Sequence, residues 1–394
     1  MGDEVLRGVT FADGSTGDMR LSGGTITAVG VVGRQPDDDE HDLAGHVLLP
    51  AAVEAHAHLD KAFLAERLAN PSGDLHGAIA AMIESRALCD VADIVERAER
   101  AARLMARNGF RAVRTHADTT LDNRLASVEA LAEVRRRVAD VIDVEIVALC
   151  SWPITGPGGA DQRALLRDAL AAGADLVGGC PHLDGAGTQA ATETFLAIAA
   201  DHGVGVDLHT DETLDVSCEG LCDLAAAVTA TGFDLPVTAS HCVSLGMQSR
   251  ERQRETAQAV AAAGIAVVAL PATNLYLQGR DHPQATPRGL TAVRALLDAG
   301  VAVTAGGDNL QDPFNPLGRA CPFETAALMV LAAHLSPAEA WASVTRHATI
   351  ALGQPADLIA VPAASLREAI AMGAPDRRVW RASRGSAGAR SPQQ

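Results

Sequence analysis

Pro50-Ala-Ala-Val-Glu-Ala-His-Ala-His-Leu-Asp-Lys-Ala-Phe63 is the stretch on which the reading of the whole chain turns. An apolar run, Val47-Leu-Leu49, leads into it, and His56-Ala-His58 lies at its centre. On a strand, residues two apart point to the same face. Two imidazoles side by side at the end of an apolar strand make half of a metal site. The competing reading is two unrelated polar residues at a strand end, and the rest of the chain decides between them.

Outward from this stretch an apolar strand followed by an amphipathic helix recurs. Val47–Ala55 leads to helical Leu75–Arg86 and Ala92–Asn108, and Phe110–His116 to Leu125–Val138. Val144–Cys150 leads to Ala160–Ala172, and Leu176–Gly179 to Ala190–His202. Val204–His209 leads to Cys218–Thr231, and Val237–His241 to Ser249–Ala263. Ala266–Leu270 leads to Thr286–Ala299, and Val301–Ala305 to Gly318–His334. Eight such units with near-continuous apolar strands predict an α/β fold, a (β/α)8 TIM-like barrel over residues 48–344. A doubly wound sheet would also alternate, but no Gly-x-Gly-x-x-Gly follows the first strand. Both chain ends are strand-rich: Val5–Phe11, Asp18–Leu21 and Thr25–Val31 at the start, Ala356–Val361 and Arg377–Ala382 at the end. They are expected to pair into a small β-sandwich domain of residues 1–47 and 345–382. The Gly/Ser/Arg/Gln-rich tail 383–394 is expected to be disordered.

Composition narrows the function. The chain has 394 residues, a net charge of −17, and 49 acidic against 32 basic residues. That balance disfavours nucleic acid as a partner. No apolar run reaches membrane-spanning length and no signal peptide is legible. Seven scattered cysteines fit a reduced, cytoplasmic protein, with no membrane partner and a homo-oligomer left open.

In the barrel reading, polar residues gather at the strands' C-terminal ends, where barrels place their active sites. Strand one ends in His56 and His58, strand two in His116-Ala-Asp118, strand five in His209-Thr-Asp-Glu212, strand six in Ser240-His241 and strand eight in Gly307-Asp308-Asn309. Three neutral imidazoles and one carboxylate, His56, His58, His209 and Asp308, suit one Zn2+ or Fe2+ with a position left for water. A bound metal lowers that water's pKa to about 7. Glu212, three residues past His209, is placed to carry its proton to a leaving nitrogen, and His241 to hydrogen-bond the attacking hydroxide or the developing oxyanion.

Several of these segments resemble the amidohydrolase superfamily, and within it the cytosine deaminase-like branch. They are Glu54-Ala-His-Ala-His-Leu-Asp60, Val113-Arg-Thr-His116, Val177-Gly-Gly-Cys-Pro-His182, Asp207-Leu-His-Thr-Asp-Glu212, Thr238-Ala-Ser-His241, Leu277-Gln-Gly-Arg280 and Gly307-Asp-Asn-Leu-Gln-Asp-Pro313. The resemblance implies a deformed barrel and one catalytic metal. The implied reaction is hydrolysis at a ring carbon bearing an amino group, by metal-hydroxide attack. It implies the same roles for His56, His58, His209, Asp308, Glu212 and His241. Two-metal members of the superfamily use a carboxylated lysine from a mid-barrel strand. Lys61 is the chain's single lysine, so one metal per chain is expected.

The departures bear on substrate. Cys150-Ser-Trp-Pro153 stands where cytosine deaminases present a glutamine that reads the pyrimidine amide, and Asn309 stands where they carry a second aspartate. Cytosine itself is therefore not the expected substrate. His-Leu-Asp-Lys61 is similar to the branch's triazine amidohydrolases, which release an alkylamine from a ring. Lys61, Ser151, Trp152, His182, Gln278, Asn309 and Phe314 are the candidate substrate contacts. His116 is a further candidate support, Asp60 is expected to cap a helix or support the site, and Cys150 and Cys180 to be small buried groups. The expectation is deamination, or alkylamine removal, of a small nitrogen heterocycle. Two readings stay open beside it: hydrolysis of a cyclic or acyl amide, and a non-catalytic metal-binding relative.

Overall fold

The apolar run from Val47 to Ala55 serves two sheets. In the computed structural model, which describes residues 2–85, 89–185, 187–373 and 375–382, the run breaks at Ala51. The Ala51 amide bonds to Asp357 O and the Ala52 amide to Gly109 O. His46–Pro50 and Ala52–Ala57 are thereby separate strands. The apolar run alone predicts one strand, but Pro50 stands at the break. The tail 383–394 lies outside the described residues.

The chain divides into two compact units. One takes the described residues of 1–53, 105–111 and 321–394. Its sheet has seven strands: β1 (Glu4–Phe11), β2 (Thr16–Ser22), β3 (Thr25–Gly30), β4 (Asp39–Asp42), β5 (His46–Pro50) and, from the other chain end, β14 (Leu358–Pro362) and β15 (Arg378–Trp380). Strand β14 runs antiparallel to β5, with Ile359 opposite Leu49, so both chain ends build one sheet. Leu6, Val9, Met19, Leu21, Ile26, Leu48 and Leu358 are buried together beneath it. The acidic strand β4 shows no β-propensity. It pairs in parallel with β1, and Arg7 and Arg20 take up Glu40 and Asp38.

The other unit, 54–104 and 112–320, carries the barrel. Its strands, beginning with β6 (Ala52–Ala57), are β7 (Phe110–Thr119), β8 (Asp143–Cys150), β9 (Leu176–Gly179), β10 (Val206–Thr210), β11 (Val237–His241), β12 (Ala266–Ala269) and β13 (Val303–Ala305). They lie side by side in chain order, and β7 through β13 pair in parallel. Every residue of β6, β9, β10 and β11 is buried, as expected for strands covered on both faces. Gly203 and Gly232 end the helices Thr188–His202 and Gly220–Thr231 in left-handed backbone, φ 67° and 64°, which turns the chain sharply toward the next segment.

The first and last strands meet through the segment just past β13. Asp308 N–H donates to His56 O at 3.0 Å. The buried Glu54 carboxylate accepts from Gly307 N at 2.9 Å and from His56 N at 3.3 Å. The eight-stranded barrel is thus nearly closed, and its seam lies where two of the candidate ligands stand.

Local chemistry shortened one predicted helix and hid another. The stretch Thr286–Ala299 is helical only over Val293–Asp298, since Pro287 and the positive-φ Gly289 precede it. Strand β12 is followed at once by a helix, Pro271–Leu277, opened by a proline at its first turn. No described helix is long and apolar enough to cross a membrane.

Candidate metal centre and active site

Four atoms from three parts of the barrel converge at the strands' C-terminal ends. His58 Nε2 lies 3.3 Å from His56 Nε2, 3.3 Å from His209 Nε2 and 3.3 Å from Asp308 Oδ1. His56 Nε2 lies 3.6 Å from the same Asp308 oxygen. Ligand atoms bound to one ion at about 2.0–2.1 Å stand roughly 3–4 Å apart. The four spacings fall in that range. Both Asp308 oxygens are buried without a hydrogen-bond partner, which a cation between the four groups would resolve. The donor set therefore fits one transition-metal ion.

The ring protons agree with this at His56. His56 Nδ1 is 2.9 Å from Ser240 Oγ, which in turn donates to Asp207 Oδ1 at 2.8 Å. Asp207 is fully buried and also accepts from Arg114 at 2.8 Å. The hydroxyl gives its proton to the carboxylate, so Nδ1–H donates to the hydroxyl and Nε2 keeps its lone pair. Burial, reinforced by the surrounding imidazoles, holds the His56 and His209 pKa values well below the ordinary histidine range. Both rings are neutral, the form a metal takes.

Backbone strain marks the same places. His241 (φ 70°) and Asp308 (φ 62°) are left-handed without being glycine. Such residues cost on the order of 1–3 kcal/mol each and collect at functional sites. The turn after β11 is pinned by Cys242 N–H to Thr210 O at 2.8 Å, which aims the His241 ring at the cluster.

His241 Nδ1 sits 3.0 Å from Asn274 Oδ1 and 3.4 Å from Glu212 Oε1. Asn274 Nδ2 donates to Gly289 O at 3.0 Å, so its oxygen is the atom facing the ring. The proton of neutral His241 is therefore on Nδ1. Nε2, buried and without a partner, is a lone pair aimed into the site. Burial lowers the His241 pKa although Asp308 pulls the other way. Burial and then the Asp308 charge raise the Glu212 pKa well above the ordinary carboxyl range.

These groups form the floor of a cavity of about 380 Å3. His58, His209, Glu212, His241, Asp308, Lys61, Ser151, Trp152, His182, Asn309 and Phe314 all border it. His56 lies fully buried and does not. Gln278 does not border it either: its amide donates to Glu212 O at 3.3 Å. The helix Pro271–Leu277 turns Gln278 toward the backbone of Glu212. Lys61 is only 4% exposed, which rules out a solvated surface lysine. Its Nζ is 2.7 Å from Asp118 Oδ1 and 3.0 Å from His58 Nδ1, and the two neighbouring acids keep it protonated despite its burial. Asp60 accepts from the Asp118 amide at 2.9 Å, so it supports the lysine's partner.

Burial and the His241 ring push His182 down to about 4. Cys150 and Cys180 border the cavity, and burial raises both thiols, Cys150 to about 12. His116 stacks on His56 with centroids 3.9 Å apart and supports it from within the barrel.

Sequence reasoning placed Ser240 at a strand end without a role and missed Asp207 and Asn274, which with it orient the rings, and Asp312, which accepts from Asn309 Nδ2 at 2.8 Å. It also missed the cavity-lining face of the helix Leu75–Ser85. Its spacing, Leu75, Ile79, Met82 and Ile83, was the available signal, but the same spacing describes any core-facing helix.

A family model described as the amidohydrolase family matches residues 76–383. The chain belongs to the amidohydrolase family. This amidohydrolase is 34% identical over 382 residues to a pterin deaminase of Rhizobium rhizogenes, covering 92% of this chain and 86% of that one. Its fold is similar to a solved structure of 5-methylcytosine deaminase from Klebsiella pneumoniae liganded with 5-fluorocytosine, with a TM-score of 0.87, 28% identity and 98% and 99% of the two chains covered. It is similar also to N-isopropylammelide isopropylaminohydrolase from Burkholderia multivorans, with a TM-score of 0.83, 27% identity and 97% of each chain covered. The (β/α)8 barrel read from the strand pattern and the separate domain built by both chain ends are the fold found; where a β-sandwich was expected, that domain holds a single seven-stranded sheet.

Proposed function

We propose that this amidohydrolase is a mononuclear metal-dependent aminohydrolase. It replaces an amino or alkylamino group on a carbon of a small nitrogen heterocycle by oxygen from water. The ring carbon–amine bond and both water O–H bonds are broken; the ring carbonyl forms, one proton leaves on the free amine and the other stays on the adjacent ring nitrogen. The observation that carries the reading is the 3.3–3.6 Å convergence of His56, His58, His209 and Asp308 beneath Glu212 and His241. The deaminase and aminohydrolase relatives support the choice of reaction.

Zn2+ or Fe2+ held by these four groups would supply a water acidified to a pKa of about 7. The chain's own residues do the rest. His241 Nε2, a lone pair, accepts from the water and orients it toward the ring carbon; with Nδ1 held by Asn274, it is a base rather than a donor. Glu212, its pKa raised by burial, takes a proton and hands it to the departing nitrogen. An amine is a poor leaving group unless protonated, so its departure requires this transfer. Asn309, its amide nitrogen engaged by Asp312, offers Oδ1 to a ring N–H. Lys61 offers a proton to a ring carbonyl, and Trp152 and Phe314 border the space a planar ring would take.

The single lysine, next to the first motif, supports one ion, since the strand-four sequence Leu-Val-Gly-Gly offers no bridging side chain. The chemistry and the free thiols fit a reducing compartment such as the cytoplasm.

The test is ammonia or alkylamine release from aminopyrimidines, aminopterins and aminotriazines by protein loaded with Zn2+ or Fe2+. Release with a carbonyl product is expected. Ring-opened products without free amine would overturn the proposal in favour of cyclic-amide hydrolysis.

A further inference from the structure

The cavity is chemically two-sided. Its floor carries the imidazoles and carboxylates described above. Its wall includes Leu75, Ile79, Met82 and Ile83, which fall on one face of the helix Leu75–Ser85 and all border the same space. Ile83 is 55% exposed, Leu121 46% and Trp152 40%, and all three border the cavity too. Large apolar side chains that are both exposed and cavity-lining mark its mouth. Exposed apolar surface gathered at a concavity signals a ligand that covers it.

Size and charge point the same way. About 380 Å3 falls in the range of roughly 300–1,000 Å3 that takes drug-sized ligands, more room than a single six-membered ring fills. Among the described lining residues Lys61 is the single lysine or arginine, and its ammonium is already 2.7 Å from Asp118. Asp118, Asp122, Glu212 and Asp308 border the same space. Among the described lining residues, a carboxylate or phosphate on the substrate would meet acids and no cation other than the Asp118-paired Lys61.

We infer that the substrate is an aminoheterocycle carrying a neutral apolar arm, either a fused second ring or an aryl or alkyl substituent. The arm lies on the wall of Leu75, Ile79, Met82 and Ile83, with Trp152 at the mouth. This inference rests on the aminohydrolase reading for the reacting ring and adds the arm from the wall.

The experiment compares ammonia release from one aminopyrimidine ring bearing hydrogen, benzyl or carboxymethyl at the same carbon. The metal-loaded full chain is expected to favour benzyl over hydrogen by at least ten-fold in kcat/KM, and to disfavour carboxymethyl. Ile83→Ser, at an exposed position that the fold does not need, is expected to cut the benzyl-over-hydrogen ratio at least three-fold. A ratio near one in the native chain, or an unaltered ratio in Ile83→Ser, would overturn the inference. If no member releases ammonia, the aminohydrolase reading fails. Calorimetric binding of the hydrogen and benzyl rings then decides the arm by itself: at least ten-fold tighter benzyl binding upholds it, and equal binding overturns it.

Discussion

Two histidines in the site, His56 and His241, are set by what holds their other nitrogen. Ser240 and Asp207 fix the His56 ring, and Asn274 fixes His241. Removing such a support commonly weakens metal binding by about 10–100-fold. Ser240→Ala is expected to do so, read as the metal dissociation constant by competition with a chelator; unchanged affinity would refute the relay. Glu212 has the opposite signature. Glu212→Gln should retain the metal and lose about 10²–10⁴-fold in kcat. Near-native turnover in that variant would remove Glu212 from proton transfer. Lys61→Met should raise KM while leaving metal content intact, and an unaltered KM would assign the lysine to structure alone.

The loop after β13 shows what an element adds to its residues. Asp312 is fully buried and accepts from Asn309 Nδ2, Phe314 N and Asn315 N, so one carboxylate shapes the turn that carries Asp308, Asn309 and Phe314. Burial raises its pKa to about 6, although these three donors oppose the shift. The sign follows from comparison with the ordinary value of 3.8. A carboxyl whose pKa is raised by folding stabilises the fold below pH ~4, and that contribution is lost as pH climbs through 6. A shift of this size corresponds to about 3 kcal/mol. The difference in stability between the native chain and Asp312→Asn should accordingly move in favour of the variant between pH 4 and pH 7, as measured by denaturant melts. A pH-independent difference would show that Asp312 ionises normally.

Elements also explain what a linear reading could and could not reach. Parallel strands buried on both faces announce themselves as apolar runs, and the polar residue that ends each run sits at the rim. That is why His56, His58, His209, His241 and Asp308 were legible. The roles of Asp207 and Ser240 were not, because both residues sit within strands and their use depends on which neighbouring strand they face. Strand β4 is not legible in the sequence because its acidic residues are held by pairing with β1 and by Arg7, distant along the chain. Gln278 read as a cavity residue until the helix before it was seen to turn its amide onto Glu212 O.

For the molecule as a whole, the metal is a stability term as well as a chemical one. An ion that binds the folded chain at a hundred-fold excess over its dissociation constant stabilises it by about 2.7 kcal/mol. Chelation should lower Tm and added Zn2+ should restore it; a Tm indifferent to chelator would argue against a bound ion. Elemental analysis of the loaded chain should give one ion, and a value near two would refute a mononuclear centre.

The hydrogen bond from Asp308 N–H to His56 O, with the Glu54 carboxylate bridging Gly307 and His56, gives the barrel a second kind of reporter. On the proposed function, His56 and Asp308 share one ion, and two side chains drawn to one ion would hold their own backbones together. The amides of Gly307 and Asp308 should then exchange with deuterium more slowly by the same factor by which the ion suppresses opening of the ring. Those two protons would record metal occupancy without any substrate being turned over.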